Sequence, residues 1–213
     1  MQWPLLADVP PADLRQVLSI ARRRTFGRNE VVFHRGDPAD TLHLVVSGRF
    51  ASRVSTPSGD TVLIAVHGAG DTFGELALVG DGAARSATVA ALEPSETWSI
   101  LRADFSQLAR RYPGVNSVLV AILAEQVRRA NDRVIEAYHV DADTRVRRRL
   151  LELAAIYAGG TIPLTQEDVA GMAGTSRATV NRVLREDAKR GIVELGRGRT
   201  TVVRRDELAR RAR

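Results

Sequence analysis

One stretch, residues 114–140, constrains this chain more than any other. Pro113 precedes it, and after Gly114 neither proline nor glycine interrupts it. Such a stretch predicts one continuous helix, which at ~1.5 Å per residue would be about 40 Å long. This helix divides the 213 residues into an N-terminal and a C-terminal part, each with the size of a small domain.

The predicted helix carries an apolar seam along one face. The seam residues follow one another at steps of four and three, the heptad spacing of a coiled coil: Asn116, Val120, Leu123, Val127, Ala130, Val134 and Ala137. This spacing predicts a parallel partner helix and therefore a homodimer. The alternative is a helix that packs on its own domain.

The part before this helix is predicted to be β-rich. Short stretches of Val, Leu, Ile and Thr are separated by turn signals, for example at residues 36–38 and 57–60. The predicted strands are residues 30–34, 41–46, 50–55, 61–66, 87–91 and 96–100. Many short strands at this spacing indicate a sandwich or a barrel-like roll. Ahead of them, residues 11–24 predict a short amphipathic helix.

The part after the long helix is predicted to be helical and to end in a β-hairpin. The predicted helices are residues 145–157, 165–173 and 176–190, and the predicted hairpin strands are residues 192–195 and 200–203. Two neighbouring glycines, Gly159 and Gly160, are expected to end the first of these helices.

The second and third of these helices have the pattern of a helix-turn-helix. Such a pair needs a small residue where the helices cross, a glycine in the turn and a branched apolar residue facing inward, and here these are Ala170, Gly174 and Val180. Supporting apolar positions are Val169, Ala173 and Val183. The expected N-caps are Thr165, with Asp168 three residues on, and Ser176.

Arginines lie on the outer face of the second helix of this pair. Arg177, Ala178 and Arg182 fall on the face away from the apolar crossing, and the first residues of a recognition helix contact base edges in the major groove. Arginine is the usual bidentate partner of guanine O6 and N7, whereas Ser176 and Thr179 suit phosphates. The pattern predicts DNA binding, and the alternative is an ordinary helical hairpin with exposed arginines.

The distribution of charge agrees with this prediction. Residues 1–144 contain 15 Lys and Arg against 17 Asp and Glu, a net charge of −2, whereas residues 145–213 contain 16 against 8, a net charge of +8. A compact basic domain favours a polyanionic partner. The alternative is a solvated basic surface with an arginine-rich tail.

Several classes of protein are excluded by composition. The chain has no cysteine, which rules out disulfides, thiolate zinc sites and Cys-ligated iron–sulfur clusters. The four histidines are scattered and predict neither a metal nor a haem site: His34, His43, His67 and His139. The single lysine, Lys189, follows Ala188, so a Gly-Lys phosphate loop is absent, as are the common hydrolase motifs, and no enzyme is expected.

No membrane partner is expected either. No apolar run approaches the ~18–20 residues that span a bilayer. Residues 1–8 lack the basic and apolar regions of a signal peptide. The sequence therefore predicts a soluble cytoplasmic protein.

A second candidate site begins at Gly74. A turn there would point backbone N–H groups at an anion, Arg85 offers a planar fork suited to phosphate, and Ser86 adds a hydroxyl. Glu75 is a carboxylate placed to accept from sugar hydroxyls. The glycines expected to return the chain to Arg85 are Gly80 and Gly82. The alternative is a surface turn with a salt-bridged arginine.

The motifs together resemble a known family. Phe-Gly-Glu-Leu-Ala at residues 73–77 and Arg-Ser-Ala-Thr at residues 85–88 are similar to the phosphate-binding cassette of CRP/FNR-type transcription regulators, most of all the cyclic-AMP receptor branch. Residues 164–170 and 174–182 resemble the helix-turn-helix of that family. The resemblance covers essentially the whole chain, including the order of β-roll, long helix, hinge and winged helix.

The resemblance implies an α+β fold with four parts. These are an N-terminal cyclic-nucleotide-binding β-roll of the jelly-roll type (residues 1–112), a long dimerisation helix (113–140), a hinge (141–144) and a C-terminal winged helix-turn-helix domain (145–213). The dimer seam would consist of Val120, Leu123, Val127, Ala130 and Val134.

The resemblance also implies a ligand site. In it Glu75 would accept from the ribose 2′-OH, and Arg85 would pair with the cyclic phosphate. The ligand-binding residues carried over are Gly74, Glu75, Leu76, Ala77, Arg85, Ser86, Ala87 and Asn131. The Thr-Ser pair that contacts adenine in well-known members falls on Ala130-Asn131 here, so cAMP is the expected effector and cGMP the alternative.

Residues expected at DNA are carried over in the same way: Thr165, Gln166, Ser176, Arg177, Ala178, Thr179, Asn181 and Arg182. The family's Arg-Glu-Arg triplet becomes Arg177, Ala178 and Arg182. Loss of the Glu removes an acceptor for cytosine N4, so discrimination at that base pair is expected to be relaxed by roughly 1–3 kcal/mol.

The mechanism implied is effector-gated DNA binding. Nucleotide under the long helix would order residues 138–143 and place two recognition helices about 34–36 Å apart on a pseudo-palindrome, with RNA polymerase as a further partner. The alternatives are a constitutive DNA-binding regulator and a nucleotide-binding module whose basic domain binds a protein. A Lys-rich amphipathic stretch would favour the last, and the sequence contains none.

Overall fold

The computed structural model describes residues 10–55, 61–79 and 84–213. Contacts divide the chain into two compact units, one of residues 1–54 and 65–130 and the other of residues 55–64 and 131–213. Residues 1–8, the turn at 57–60 and the glycines Gly80 and Gly82, all used in the sequence argument, lie outside the described residues.

The first unit contains the predicted roll of short strands. In chain order the strands are β1 (Arg22–Phe26), β2 (Val31–Phe33), β3 (Thr41–Ser47), β4 (Phe50–Ser55), β5 (Thr61–His67, of which residues 65–67 belong to this unit), β6 (Thr72–Phe73), β7 (Thr88–Ala91) and β8 (Ser95–Leu101). They form two four-stranded sheets, in the orders β1-β8-β3-β6 and β2-β7-β4-β5. The ladders β1–β8, β3–β8, β3–β6, β2–β7 and β4–β7 are antiparallel.

Two elements at the borders of the roll differ from the sequence prediction. Helix α1 spans Pro11–Ser19, and residues 22–24, which were predicted to continue it, begin β1 instead. They pair with β8, with Arg22 opposite Ser99 and Arg24 opposite Thr97. The prediction was wrong there because pairing with a distant strand outweighs a weak local helix preference. Helix α2 (Arg102–Arg111), which follows β8, was not predicted.

Strand β3 separates two cores because both of its faces are buried. Leu42 and Leu44 point to one side, where they pack with Val17 of α1, Phe105 of α2 and other apolar residues. His43 and Val45 point to the other side. There the two sheets enclose an aromatic-rich core, whose buried members besides Val45 are Phe26, Phe50, Phe73, Val89 and Ala91.

His43 is the polar member of this aromatic interior. Its ring stacks on Phe73 at 4.9 Å between centroids and 7° between planes, and its Nδ1 lies 3.0 Å from Thr97 Oγ1. Burial, together with the positive charges of Arg85 and Arg24, lowers the pKa of His43 to about 3. The imidazole is therefore neutral at pH 7.

Helix α3 (Asn116–His139) is the predicted long helix, and it follows a short 3-10 turn at Pro113–Val115. Its first half buries Val118 and Ile122 against the core around α1 and α2. The heptad seam lies on a different face and is exposed, by 63% at Val120, 59% at Val127 and 56% at Val134. Among the described helices, none combines the length and apolarity needed to cross a membrane.

The second unit contains the winged helix-turn-helix. Its elements after α3 are α4 (Ala142–Ile156), β9 (Thr161–Ile162), α5 (Gln166–Ala173), α6 (Arg177–Lys189), β10 (Val193–Gly196), β11 (Arg199–Val202) and α7 (Arg205–Arg211). The three strands form an antiparallel sheet in the order β10-β11-β9.

Three details of this unit depart from the sequence prediction. Helix α4 begins at Ala142 rather than 145, because the Asp141 side chain caps it by accepting from the Thr144 N–H at 2.9 Å. The hairpin closes on a two-residue turn, Arg197-Gly198, since Gly196 pairs with Arg199. The expected arginine-rich tail is helix α7, and Leu208 anchors it fully buried.

The helix-turn-helix core is confirmed. Ala170, Val180 and Val183 are buried, and Gly174 ends α5 in the left-handed conformation with φ at 59°. The Thr165 side chain accepts from the Asp168 N–H while the Asp168 carboxylate accepts from the Thr165 N–H, which completes a capping box.

A buried ion cluster joins three helices of this domain. Asp187 of α6 is fully buried. Its carboxylate accepts from Arg147 of α4, with Nε at 2.9 Å and Nη2 at 3.2 Å. Arg211 of α7 approaches it at 3.1 Å. Glu186 completes the cluster, because its carboxylate also accepts from Arg211 at 2.5 Å.

Acid should destabilise the roll through His43. The unfolded chain takes up a proton on this histidine near pH 6.5, whereas the folded chain does not until about pH 3, so this contribution to stability is lost as the pH falls between these values. We expect a loss of about 2 kcal/mol at pH 5 from this group. The double variant His43→Phe, Thr97→Val should lack this additional loss of stability between pH 7.5 and 5.0. Denaturant titrations followed by Trp98 fluorescence at the two pH values measure it. His139→Gln, at an exposed position, is the control, and equal pH dependence in the double variant and the wild type would contradict the assignment.

Truncation of Asp187 should destabilise the second unit, because it leaves the buried guanidinium of Arg147 without the carboxylate that accepts from it. We expect Asp187→Ala to lower the free energy of unfolding by about 3 kcal/mol, measured by denaturant titration of the helical circular dichroism signal. Glu207→Ala, which removes the partner of the exposed Arg204, should cost less than about 1 kcal/mol. Similar losses in the two variants would show that the cluster has no special role.

Candidate ligand-binding and DNA-binding sites

The candidate ligand site is built on a glycine turn between β6 and a 3-10 turn. Gly74 has φ at 79° and caps the 3-10 turn Glu75–Leu78. A Cβ at this position would lie 2.8 Å from both Arg85 Nη1 and Thr41 O, so only glycine fits. Buried Ala77 and Leu78 hold the turn against the roll, while Leu76 is exposed.

Arg85 lies beside this turn and is only 5% exposed. Its Nη1 donates to Thr41 O at 2.7 Å and approaches Gly74 O at 3.5 Å. Its Nη2 donates to Thr41 Oγ1 at 2.6 Å and Asp40 Oδ1 at 3.1 Å. The guanidinium carbon stands 3.9 Å from the centroid of the Phe33 ring, a cation–π contact.

This environment leaves one donor of Arg85 available for a further acceptor. Burial lowers the pKa of Arg85, and the nearby carboxylates of Asp40, Asp37 and Glu75 only partly oppose that effect. Asp40 itself is largely exposed to solvent, with 67% of its side chain accessible, which weakens its field at the guanidinium. In the described part of the chain, Arg85 Nε has no hydrogen-bond partner. The site is thus chemically suited to a further anionic acceptor.

Glu75 supplies the carboxylate of this site. Burial raises its pKa, and the nearby Arg85 charge works in the opposite direction. A desolvated carboxylate gains from donors, and sugar hydroxyls are donors of that kind. Two further expected ligand residues follow Arg85 directly, with Ser86 exposed and Ala87 buried.

Seven of the eight expected ligand residues belong to the first unit, and Asn131 belongs to the second. Gly74, Glu75 and Arg85 meet at the turn, whereas Asn131 lies exposed on α3 in the second unit. Phe33, Asp40 and Thr41 were not expected at this site. They surround Arg85 only because β2 and the start of β3 fold beside it, and no local motif indicates that.

The candidate DNA-binding surface is the outer face of α6. Arg177, Ala178 and Arg182 are exposed there. Ser176 Oγ caps the helix by accepting from the Thr179 N–H at 3.1 Å. Asn181 Nδ2 donates to Gln166 Oε1 at 3.0 Å, so these two expected DNA residues, like Ser176 and Thr165, also hold the two helices in place.

Arg182 has an unexpected partner. Its Nη1 donates to Asp143 Oδ2 at 2.9 Å, and its Nη2 donates to Asp143 Oδ1. This pairing raises the pKa of Arg182 further. Asp143 lies in the first turn of α4, 39 residues away in the chain. The contact depends on the packing of α4 against α6, and the sequence analysis had placed Asp143 only in the hinge.

Metal chemistry has no support in the described residues. No group of three His, Asp or Glu side chains there could hold a metal ion. His43 and His67 instead contact hydroxyl groups of the roll. His43 lies beside Thr97, and His67 Nε2 lies 2.8 Å from Ser52 Oγ.

Comparison with known proteins agrees with this geometry. The family model described as "Cyclic nucleotide-binding domain" matches residues 23–112, and the model described as "Crp-like helix-turn-helix domain" matches residues 144–211. These two matches cover the roll with Gly74 and Arg85 and the domain with α5 and α6.

Full-length relatives share both domains. The chain is 34% identical over 199 residues to the cyclic AMP receptor protein of Thermus thermophilus, covering 93% of this chain and 92% of the relative. It is 33% identical over 216 residues to the CRP-like cAMP-activated global transcriptional regulator of Mycobacterium tuberculosis, covering 98% and 96%. The crystal structure of the Thermus thermophilus catabolite activator protein matches with 33% identity and a TM-score of 0.56, covering 98% of both chains. Two-domain likeness over nearly the full length makes this chain a member of the CRP/FNR family of transcription regulators, which are not enzymes.

Proposed function

We propose that this regulator is a homodimer that binds a cyclic nucleotide, cAMP in the first instance, and that the nucleotide gates its affinity for a pseudo-palindromic DNA operator. The observation that carries the proposal is Arg85, a nearly buried guanidinium beside the Gly74 turn with an Nε that lacks a partner among the described residues. The expected partition into a roll (1–112), a dimerisation helix (113–140), a hinge (141–144) and a winged helix domain (145–213) is part of the proposal.

The chemistry of the site favours a phosphate bonded to a sugar. A cyclic phosphate would accept from Arg85 Nε and compete with the exposed Asp40 for Nη2. Glu75 would accept a hydrogen bond from the ribose 2′-OH. Ser86 and the backbone of the 3-10 turn would contribute further donors, with Leu76, Ala77 and Ala87 shaping the walls. Both relatives compared above carry cyclic AMP in their names, which supports cAMP as the first candidate.

We assign recognition of the nucleotide base to Asn131. Its amide can donate to adenine N7 and accept from adenine N6, or donate to guanine O6, while the preceding Ala130 offers no polar group. We propose that Asn131 reaches the base from the partner subunit, as expected for a residue on the exposed side of α3 next to the seam.

The exposed seam of α3 supports dimerisation through this helix. Val120, Val127 and Val134 each expose more than half of their surface, and the heptad spacing aligns them for a parallel copy of the same helix. The dimer would present two α6 helices to successive turns of DNA, about 34–36 Å apart. Bound nucleotide would shift the population toward that arrangement by its preference for it, and RNA polymerase is the partner expected at the promoter.

Loss of Arg85 should abolish nucleotide control. In calorimetric titrations we expect cAMP to bind wild-type protein with a Kd of about 1 µM or tighter and Arg85→Ala to weaken it by about 30–150-fold, since charged hydrogen bonds to the phosphate are lost. Arg23→Ala, at an exposed arginine paired with Glu96, should bind like the wild type. Operator affinity with and without cAMP should then differ for the wild type and Arg23→Ala only.

The same titrations separate the alternatives. Tighter binding of cGMP than of cAMP would show that the site prefers guanine to adenine. Operator binding that responds to nucleotide equally in Arg85→Ala and the wild type would refute the site. Operator binding with no nucleotide bound by either protein would identify a constitutive regulator, and nucleotide binding without DNA binding would favour a protein partner for the basic domain.

A charge in the seam should split the dimer. Val127→Glu buries an unpaired carboxylate twice in each symmetric dimer, and we expect its dimerisation Kd to rise by at least about 100-fold. Sedimentation velocity measures this change directly. Asp132→Asn, which changes the charge by one on the outer side of α3, is the control. A Val127→Glu protein that remains dimeric at the same concentrations would show that another surface forms the dimer.

A further inference from the structure

The pair between Asp143 and Arg182 places a carboxylate of helix α4 on the candidate DNA-binding face of α6. Both Nη groups of Arg182 donate to the two oxygens of one carboxylate. The arginine side chain remains 58% exposed and the Asp143 side chain 28% exposed. The pair is thus at the surface, where a ligand can reach it.

Arg182 differs in this respect from the other arginines of α6. Arg177 and Arg185 are also exposed, yet within the described residues neither has a side-chain hydrogen bond or an ion pair to a carboxylate. If Arg182 were paired only because the domain carries many charges, Arg177 and Arg185 would be expected to have carboxylate partners as well. The pairing of Arg182 therefore depends on the position of the first turn of α4, which contains Asp143.

The carboxylate is held in place by the packing around it. Asp141 caps α4 two residues earlier through its bond to Thr144 N–H. Arg145, two residues later, donates from Nε to Ala173 O at 2.9 Å and from Nη2 to Gly174 O at 3.0 Å. Its Nη1 donates to Val140 O at 2.6 Å. These bonds tie the first turn of α4 both to the end of α3 and to the turn of the helix-turn-helix.

Bidentate contact with guanine needs two N–H donors of one guanidinium, directed at O6 and N7. The end of the Arg182 fork, which reaches furthest from α6, has both of its donors engaged by Asp143. A guanine that approaches this end of the guanidinium would have to take over donors from the carboxylate, although the five N–H donors of arginine also include the Nε that Asp143 does not use. The carboxylate would then remain close to the DNA phosphates. Both effects act against DNA binding.

We propose that Asp143 is a positioning residue for DNA recognition, an internal competitor that holds Arg182 until a correctly placed guanine displaces it. The proposal rests on the proposed function, because it requires α6 to bind DNA. Since Asp143 lies directly after the junction of α3 and α4, a movement of this junction would loosen the pair, and the effector would thereby act on a single base contact.

The test uses full-length protein with saturating cAMP and a duplex selected from random DNA by repeated binding. Asp143→Asn should bind the selected duplex about 3–10-fold more tightly than the wild type, as expected for release of one surface charge pair. In the Arg182→Ala background the same change should have no effect beyond that of the control. The control is Glu152→Gln, which makes the same change of charge on the same helix and also removes the partner of an arginine.

Two further measurements connect the effect to the base. Replacement of each guanine of a half-site by 7-deazaguanine removes N7, and one position should weaken binding by the wild type but not by Arg182→Ala. Asp143→Ala is a second variant, in case the amide of Asn makes a new contact. Thermal unfolding of every variant shows whether it retains the fold.

Each outcome decides a different claim. Unchanged or weaker binding by Asp143→Asn and Asp143→Ala, or a gain that persists with Arg182→Ala, would overturn the role of Asp143 while leaving DNA binding intact. Failure of the wild-type protein to enrich any duplex would instead overturn the proposed function, and the role of Asp143 with it.

Discussion

The first unit is organised around a guanidinium that has been removed from water. Burial of an arginine costs several kcal/mol unless its charge is met by nearby acceptors, and Arg85 meets this requirement with Asp40, Thr41 and the face of Phe33. Its backbone is held as well, because Arg85 N–H donates to Asp37 O and Arg85 O accepts from Gly36 N–H, each at 2.9 Å. The turn at Gly74 can approach so closely only because it has no side chain. Several loops therefore depend on one side chain, and a ligand that binds it is coupled to all of them.

A related arrangement recurs in the second unit. Both Nη groups of Arg182 donate to a carboxylate of its own domain, Asp143, as Nη2 of Arg85 donates to Asp40. In our proposals both arginines exchange an internal acceptor for an external one, a phosphate in the first case and a guanine in the second. Such an exchange has a small net free energy, because one charged hydrogen bond replaces another. A small net free energy suits a switch, since modest differences in ligand affinity can then shift the population.

Helix α3 divides its apolar residues between two faces, one for its own domain and one for the partner helix that we propose. Val118 and Ile122 belong to the core around α1 and α2, while the valines of the seam remain exposed. A helix with one apolar face could bury it either against its own domain or against another copy, but not against both. The two alternatives left open by the sequence are thus compatible, because each uses a different set of residues.

The sequence by itself determined those features whose signals are local. Gly74 and Gly174 adopt left-handed conformations, Thr165 and Ser176 cap the helices predicted to follow them, and the seam of α3 follows directly from its heptad spacing. Each of these depends on residues a few positions apart, so a periodicity or a short motif contains the information.

Only the tertiary structure decided the features that join distant segments. Residues 22–24 become a strand because β8 accepts them, Arg85 is paired with Asp40 across 45 residues, and Arg182 is paired with Asp143 across 39. The physical reason is the same in each case. The free energy of a buried charge or an unpaired strand edge depends on the partner that the fold supplies, and the residues neighbouring it in the chain do not specify that partner.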